Sequence, residues 1–530
     1  MRNKILIIGI VIIGLILRLA FFKSSTFIYD QARDAFAAIN IWQGHPIKIL
    51  GPPTDIVGLN HGPLYWYLIS PALVLSGGSI LYAKVLLILI NLVGIFFIYD
   101  LSKDLFKNRT IALLSSLFYA ISYEAVSYGR WISNPAPALV TTAISFWSLY
   151  KLIQGKKWAI VILFVSWGFS MQFELFMVYQ IFVFAVIWLA IIGPKLPKIS
   201  KKVFFLTAIG FLATVSTYIA SELKFHFQGT KALFGFLKTQ TSFGGNFTSM
   251  FNSYIERLVN TFFLNVWGIN LFFAGIIAIT LLFLCFQKIK NNIQKREFLF
   301  LTIWILSPVI LNFFSGPNAI FVSLGALIPT IIITSYFIYS LSKKWKILMY
   351  PALTLIILAN LNLILTKNSQ GDVLFAVQKQ MILSDELKVV DWTYSEANGK
   401  PFRLNTITQP VFINSTWAYL FNWYGRSKYG YMPIWWGETQ VNVPGADVKF
   451  AQNVPTNLFF IIIEPSAGGD DYDVKAIKLL ENTRSKVIKT KSIGNFTVEE
   501  REVTREFTYT SGDVFRVVKG TDLQILDKVE

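Results

Sequence analysis

Long apolar runs separated by short, lysine-rich polar loops fill the first two thirds of the chain. Several runs approach the ~20 residues that a helix needs to cross a bilayer. This pattern predicts eleven transmembrane helices, at 5–22, 80–99, 110–122, 136–153, 158–172, 175–192, 203–221, 260–285, 298–314, 320–340 and 347–365. The run 64–76 is shorter and follows a proline, so we predict an interfacial or re-entrant helix there.

The last part of the chain has a different pattern. It mixes short β-rich runs (458–463, 496–498 and 507–509) with helical ones (373–390 and 474–480), punctuated by Gly, Pro and Asn. We therefore predict a polytopic α-helical membrane protein with an α+β extracytoplasmic C-terminal domain. The transmembrane domain is 1–365, with external loops 23–79 and 222–257, and the second domain is 366–530.

Composition supports this architecture. Hydrophobic residues make up 54% of the chain, and the single cysteine, Cys285, excludes a disulfide within it. The net charge of +18 comes from lysines in short loops, which is typical of membrane topology rather than of nucleic-acid binding.

The basic residues also predict the orientation. Nineteen lie in one set of loops and ten in the opposite set up to the last span, so the positive-inside rule places the N-terminus in the cytoplasm. The protein is then a multi-pass protein of the cytoplasmic membrane, with its C-terminal domain outside. Residues 19–22 are too bulky for a signal cleavage site, so we expect the first helix to be retained.

An acidic patch follows the first apolar run. Asp30 and Asp34 are four residues apart, so on a helix they share a face, and Arg33 lies beside them. Carboxylates beside a membrane are costly to desolvate, which favours an acid–base or metal-binding group facing a cavity. The alternative is a solvated loop with an internal Arg–Asp pair.

Other polar candidates also fall on the predicted external side. The guanidinium of Arg130 suits a phosphate, although an arginine at the mouth of a predicted span could also be an interfacial residue. The further candidates for binding a phosphate or a substrate are His61, Arg130, Asn134, Gln172, Glu174 and Glu222.

Cofactor motifs give a largely negative result. The three histidines, His45, His61 and His226, lack zinc-motif spacing, so a divalent cation would need mainly oxygen ligands. The sequence contains no P-loop motif, and the predicted cytoplasmic loops are too short for a nucleotide domain. No nucleotide or organic cofactor is implied.

The order of these motifs resembles a known superfamily. The acidic patch is followed by Gly51-Pro52-Pro53 and then by His61-Gly62-Pro63-Leu64-Tyr65-Trp66-Tyr67. Over about 1–360 this resembles the GT-C membrane glycosyltransferases, in the group of protein O-mannosyltransferases and the bacterial aminoarabinose transferase of lipid A. Three positions depart from the family pattern, because Gln31 replaces the second acid of an Asp-Glu pair, Asn134 replaces an Asp and Glu174 replaces a His.

The resemblance implies a polyprenyl-phosphate sugar donor and an external glycan, lipid or protein acceptor. It further implies displacement at the anomeric carbon with inversion. Asp30 would be the general base, Asp34 would be the second carboxylate in the absence of an acid at position 31, and Arg130 with Arg33 would stabilise the phosphate.

Three other functions remain open. A transporter or flippase of polyprenyl-linked lipid or glycan would also be polytopic, but the chain shows no half-repeat. An oligosaccharyltransferase would carry a Trp-Trp-Asp-Tyr-Gly motif, which the nearest strings, 422–425 and 434–437, do not match. A structural protein that only binds polyprenyl lipids is the third alternative.

Overall fold

A computed structural model describes most of the chain, in residues 2–43, 47–240, 247–312, 323–371, 374–375, 378, 380–438, 448–452, 454–465 and 471–518. Helices dominate. In chain order they are α1 (Arg2–Leu19), α2 (Tyr29–Asn40), α3 (Leu64–Leu75), α4 (Ile80–Phe106), α5 (Arg109–Ile121), α6 (Tyr123–Arg130), α7 (Pro135–Ile153), α8 (Ala159–Phe173), α9 (Gln180–Ile191), α10 (Lys201–Lys224), α11 (Gln228–Gln240), α12 (Phe247–Asn265), α13 (Leu271–Lys290), α14 (Lys295–Leu306), α15 (Val309–Asn312), α16 (Leu327–Lys344), α17 (Lys346–Lys367), α18 (Leu383–Ala397), α19 (Ser415–Leu420), α20 (Arg426–Tyr429), α21 (Asp471–Arg484) and α22 (Ser511–Val518).

The chain forms two compact units. The helical unit comprises Met1–Ala20, Pro46–Ile69 and Ala83–Ser369, and the sheet unit comprises Phe21–His45, Ser70–Tyr82 and Gln370–Glu530. Two segments from the predicted external loop 23–79 therefore belong to the same unit as the C-terminal part of the chain. Two of the boundaries between the units fall within helices, one in α3 and one in α4.

The helical unit contains the apolar helices. Among the described residues, five helices are long and apolar enough to cross a membrane, or six if the bent pair α5–α6 is one span. The helices α8 and α9 are apolar but shorter, and α3 confirms a short helix at the predicted position. The count of eleven spans stays a prediction, and parts of two of them, at 298–314 and 320–340, lie outside the described residues.

Local capping explains where several helices break. Helices α5 and α6 bend by 54° at Ser122, whose hydroxyl accepts a hydrogen bond from the Ala125 N–H. The predicted single span at 260–285 is wrong, because α12 ends at Asn265 and α13 begins at Leu271. Asn270 causes the new start, since its side chain accepts hydrogen bonds from the first N–H groups of α13.

The described residues of the sheet unit form five strands, β1 (Arg403–Ile407), β2 (Ile434–Trp435), β3 (Leu458–Ile463), β4 (Ser485–Ile493) and β5 (Phe496–Val503). Their order is β2-β1-β3-β5-β4, with β1 parallel to β2 and β3, and with β5 antiparallel to β3 and β4. Strand β3 lies at the centre, which agrees with its unbroken apolar sequence.

Both faces of β3 are covered. Phe459 and Ile461 pack with Ile477 and Leu480 of α21, whereas Phe460 contacts the ring of Trp392 on α18 at 5.8 Å between centroids. Alternate residues of a strand face opposite sides, so the continuous apolar run provides both contacts. These layers confirm a small sheet domain.

Two secondary-structure predictions for the C-terminal part of the chain differ from the structure. The β-rich run 507–509 is not a strand but a loop, and Tyr509 from it packs into the core. The predicted helix 373–390 begins only at Leu383, and residues 372–373, 376–377 and 379 of its first part lie outside the described residues.

Candidate functional site

The acidic patch forms one face of α2 in the sheet unit. The Arg33 guanidinium lies 2.6 Å from a carboxylate oxygen of Asp30 and 3.0 Å from one of Asp34. The side chain of Asp30 is 30% exposed, but that of Asp34 is only 3% exposed. Of the two acids, Asp30 is therefore the one that a ligand can reach.

The charge of this patch is fixed by the arginine. Burial acts to lower the pKa of Arg33, but the carboxylates of Asp34 and Asp30 outweigh that effect and raise it. The patch thus contains one cation and two carboxylates.

Gln31, which stands where the resemblance leads one to expect an acid, has a structural function. Its side-chain oxygen accepts a hydrogen bond from the Ile28 N–H at 3.0 Å, at the start of α2. This is half of a capping box, in which the third residue of a helix binds back to the N-cap backbone. An amide can replace a carboxylate in this contact.

In the helical unit, four of the predicted residues gather around the turn between α8 and the 3-10 turn Leu175–Tyr179. We call this group the turn cluster, and its members are His61, Asn134, Gln172 and Glu174. Nδ1 of His61 lies 3.7 Å from a Glu174 oxygen and accepts a hydrogen bond from the Leu175 N–H at 3.1 Å. A ring nitrogen that accepts carries no proton, so the neutral ring is protonated on Nε2.

Burial sets the charge of the cluster. Glu174 lies in the turn between its flanking helices and is 1% exposed. Burial raises the pKa of Glu174 to about 8, against a smaller lowering by the hydrogen bond from the Phe176 N–H. The Glu174 side chain is therefore mostly a neutral acid at pH 7.

Close backbone packing positions the rest of the cluster. Asn134 donates to the Phe173 carbonyl at 2.7 Å, and Gln172 donates to the Thr214 carbonyl at 2.7 Å. A Cβ added at Gly62 would lie 1.9 Å from the Gln172 amide oxygen, so only glycine fits there. The Gly-Pro sequence after His61 thus permits the approach of this loop to α8.

The other two predicted residues, Arg130 and Glu222, contact backbone groups. Arg130 is fully buried and donates hydrogen bonds to the backbone carbonyls of Arg18, Ala20 and Asn368. Glu222 accepts hydrogen bonds from the Thr230 N–H at 3.2 Å, near the start of α11. Both contacts belong to helix ends.

Sequence reasoning missed a further polar and aromatic cleft in the sheet unit. Its volume is about 600 Å³, and its lining includes Trp42, Trp423, Arg426 and Lys449. The aromatic density of 417–436 is a signal that could have indicated it. In the described part of the chain, no three His, Cys, Asp or Glu side chains come together as a metal site would require.

Comparison with known proteins agrees with the motif resemblance. Residues 60–220 match the family described as dolichyl-phosphate-mannose-protein mannosyltransferase. The fold is similar to that of ArnT from Cupriavidus metallidurans in the apo state, with a TM-score of 0.55 and 9% identity over 94% of this chain and 98% of that one. The same enzyme bound to undecaprenyl phosphate gives a TM-score of 0.54 and 8% identity over 93% and 97% of the two chains.

No curated protein matches the sequence. The family match and the whole-chain fold nevertheless agree with each other, and they confirm the resemblance to the GT-C superfamily of protein O-mannosyltransferase and ArnT-like glycosyltransferases.

Proposed function

We propose that this protein is a membrane glycosyltransferase that moves a sugar from a polyprenyl-phosphate donor to an acceptor outside the cytoplasm. The observation that supports this most strongly is the agreement between the family match at 60–220 and an ArnT-like fold over 94% of the chain. ArnT has been solved with undecaprenyl phosphate bound, which favours a donor of the same chemical class here. The orientation predicted from the basic loops, with the N-terminus in the cytoplasm and the sheet unit outside, belongs to the same proposal.

The proposed reaction is a single displacement. The acceptor hydroxyl oxygen forms a bond to the anomeric carbon while the bond from that carbon to the phosphate oxygen breaks. The sugar leaves the phosphate with inversion, and the polyprenyl phosphate keeps the electron pair of the broken bond. The hydroxyl proton passes to a carboxylate and then to solvent.

Asp30 is the proposed general base. It is the more exposed acid of the patch, and its 2.6 Å contact with Arg33 holds its carboxylate in one orientation. Asp34 is proposed as a second carboxylate that orients Arg33 rather than as the proton acceptor, since it is nearly completely buried. Arg33 would also offer positive charge to the phosphate as the leaving group forms.

The turn cluster is proposed to bind the donor. In the neutral tautomer described above, His61 has an N–H on Nε2, and the neutral acid of Glu174 adds no repulsion toward a phosphate. Gln172 and Asn134 support the turn through contacts with backbone carbonyls. The sequence predicts Arg130 and Glu222 as donor ligands, but their backbone contacts at helix ends favour a structural role for both side chains.

A transfer assay tests this function. Purified wild type, Asp30→Asn and the matched control Asp34→Asn would be incubated with radiolabelled polyprenyl-phosphate sugars and a membrane extract as acceptor. We expect Asp30→Asn to lower the transfer rate by roughly 10²–10⁴-fold, because a general base contributes that much. Asp34→Asn should lose less.

Two outcomes would contradict the proposal. Equal transfer by wild type and Asp30→Asn would show that Asp30 is not the general base. An absence of transfer from every donor, together with movement of labelled lipid across liposome bilayers, would favour the alternative of a transporter or flippase.

A further inference from the structure

The aromatic cleft lies entirely within the sheet unit, on residues that the transfer chemistry does not use. We define it by Phe36, Trp42, Tyr419, Trp423, Arg426 and Lys449. Its volume of about 600 Å³ is within the usual range of small-molecule sites, roughly 300–1,000 Å³. The cleft can therefore hold a ligand of one or two sugar rings.

Fixed contacts build the aromatic wall of the cleft. The Tyr419 hydroxyl donates to the Gly78 carbonyl at 2.6 Å, and the Tyr419 ring meets that of Phe36 edge-on, at 5.0 Å between centroids. Gly78 has a φ of +98°, and a Cβ there would lie 2.8 Å from the Trp423 ring. Glycine at this position thus lets the indole of Trp423 pack against the backbone.

Trp423 also lies in an unusual backbone turn. Residues Phe421–Gly425 form a π-helical turn between α19 and α20. Such turns are rare and occur frequently at functional sites. The turn directs Trp423 and Asn422 to the cleft.

The charge of the cleft is positive. Arg426 and Lys449 are both exposed, and none of the described residues that line the cleft is Asp or Glu. These two cations raise the local potential and favour an anionic group. Arg426 can bind a phosphate or carboxylate through two parallel hydrogen bonds.

The neutral part of the lining suits a carbohydrate. Trp42, which is 62% exposed, and Trp423 offer flat apolar surfaces to the C–H face of a sugar ring. Amide and hydroxyl groups for hydrogen bonds to sugar hydroxyls come from Asn40, Gln43, Asn422 and Ser427. The combination of aromatic faces, amides and cations fits an anionic sugar better than it fits a lipid tail.

We infer that the cleft is the acceptor-binding subsite, and that it recognises a sugar bearing a phosphate or carboxylate group. This inference rests on the proposed transferase function. Phe36 and Asn40 lie on α2, the helix that carries Asp30 at its start, and Asn40 is about 15 Å along the helix axis from Asp30 at 1.5 Å per residue. The cleft thus binds a part of the acceptor remote from the reacting hydroxyl.

Binding measurements on the full-length protein in detergent test the inference. The probes are glucose 6-phosphate, glucose and inorganic phosphate, measured by saturation-transfer NMR and by calorimetry. We expect glucose 6-phosphate to bind about tenfold more tightly than either of the others, a difference of one decade in Kd. The double variant Arg426→Ala/Lys449→Ala should lose that preference, whereas Trp423→Ala should weaken binding of both sugars.

The matched control is Lys428→Ala. Lys428 lies beside the cleft but does not line it, and its ammonium contacts Asp391 at 2.8 Å. This variant should bind all three probes as wild type does. Unchanged affinities in the two cleft variants, or equal affinities for phosphate and glucose 6-phosphate in wild type, would overturn the inference.

The transfer assay separates this inference from the proposed function. Binding of glucose 6-phosphate should survive in Asp30→Asn, because that residue does not line the cleft. If Asp30→Asn loses transfer while the cleft variants keep full transfer, the cleft does not bind the acceptor. The proposed transferase function would still stand. Selective sugar-phosphate binding without transfer from any donor would overturn the transferase and, with it, the acceptor role of the cleft.

Discussion

Two buried arginines, one in each unit, have different kinds of partner. In the sheet unit, Arg484 is 1% exposed and meets the carboxylate of Glu481 at 2.6 Å. In the helical unit, Arg18 is fully buried, and it donates to the Asn91 amide oxygen and to the carbonyls of Gly14 and Ala120. The first is an ion pair, whereas the second uses neutral acceptors.

Helix ends supply some of these neutral acceptors. Ala120 lies in the last turn of α5, where carbonyls have no partner within the helix. Arg130 likewise donates to the carbonyls of Arg18 and Ala20 at the end of α1 and to that of Asn368 after α17. The negative end of a helix dipole attracts a cation. An arginine at the edge of a span can thus be a helix cap as well as a phosphate ligand.

The largest expected effect comes from breaking the ion pair of the sheet unit. Arg484→Ala leaves the buried Glu481 carboxylate without its cation, which costs about 3–5 kcal/mol. We expect a much lower denaturation midpoint for this unit, followed by tryptophan fluorescence. Lys489→Ala is the control, because its contact with Glu396 is half-exposed and worth about 1 kcal/mol or less. Equal losses in the two variants would contradict the comparison.

Arg130→Gln tests the arginine of the helical unit that donates to backbone carbonyls. It removes donors from carbonyls at two helix ends, so we expect a loss of about 1–3 kcal/mol in the stability of the helical unit. In the protein that remains folded, the Kd for a polyprenyl-phosphate sugar should be unchanged. A higher Kd with an unchanged melting temperature would instead assign Arg130 to the donor phosphate.

A pH dependence of stability is expected from the acids of the sheet unit. Burial raises the pKa of Glu464 to about 7 from 4.5, although hydrogen bonds from Gln378, Gln409 and Trp417 act against this. Between these two pH values the folded protein holds a proton that the unfolded chain has lost, so stability falls as the pH rises through this window. Melting temperatures from pH 5 to pH 8 should therefore decrease in wild type.

Two variants isolate this effect. Glu464→Gln should remove the part of the pH dependence that lies below about pH 7. Glu386→Gln should remove a further part, because burial raises the pKa of Glu386 well above its ordinary value and the folded protein then holds a proton that the unfolded chain has lost. If both variants behave as wild type does, another group is responsible for any pH dependence.

The smallest effect is expected for Glu222→Ala. Its carboxylate caps the start of α11 through the Thr230 N–H, and such a contact is worth about 1 kcal/mol. A small decrease in melting temperature with unchanged donor binding would fit this role. A clear loss of donor affinity would instead show that Glu222 contributes to donor binding.

The sequence by itself determined the features that depend on local composition. The apolar runs predicted the helices α4, α7 and α10 and the short helix α3, because burial of a helix face requires such runs. The β-rich run 458–463 predicted the strand β3, and the spacing of Asp30, Arg33 and Asp34 predicted their shared helical face. The motif order also led to the superfamily that the comparisons support.

Tertiary structure decided the features that depend on partners distant in the chain. It buried Asp34 but left Asp30 exposed, it gave Gln31 a capping contact, and it placed Glu174 beside His61. It also assembled the aromatic cleft from segments more than 300 residues apart. A local sequence pattern fixes which side of a helix a residue occupies, but solvent access and charge depend on what packs against that side.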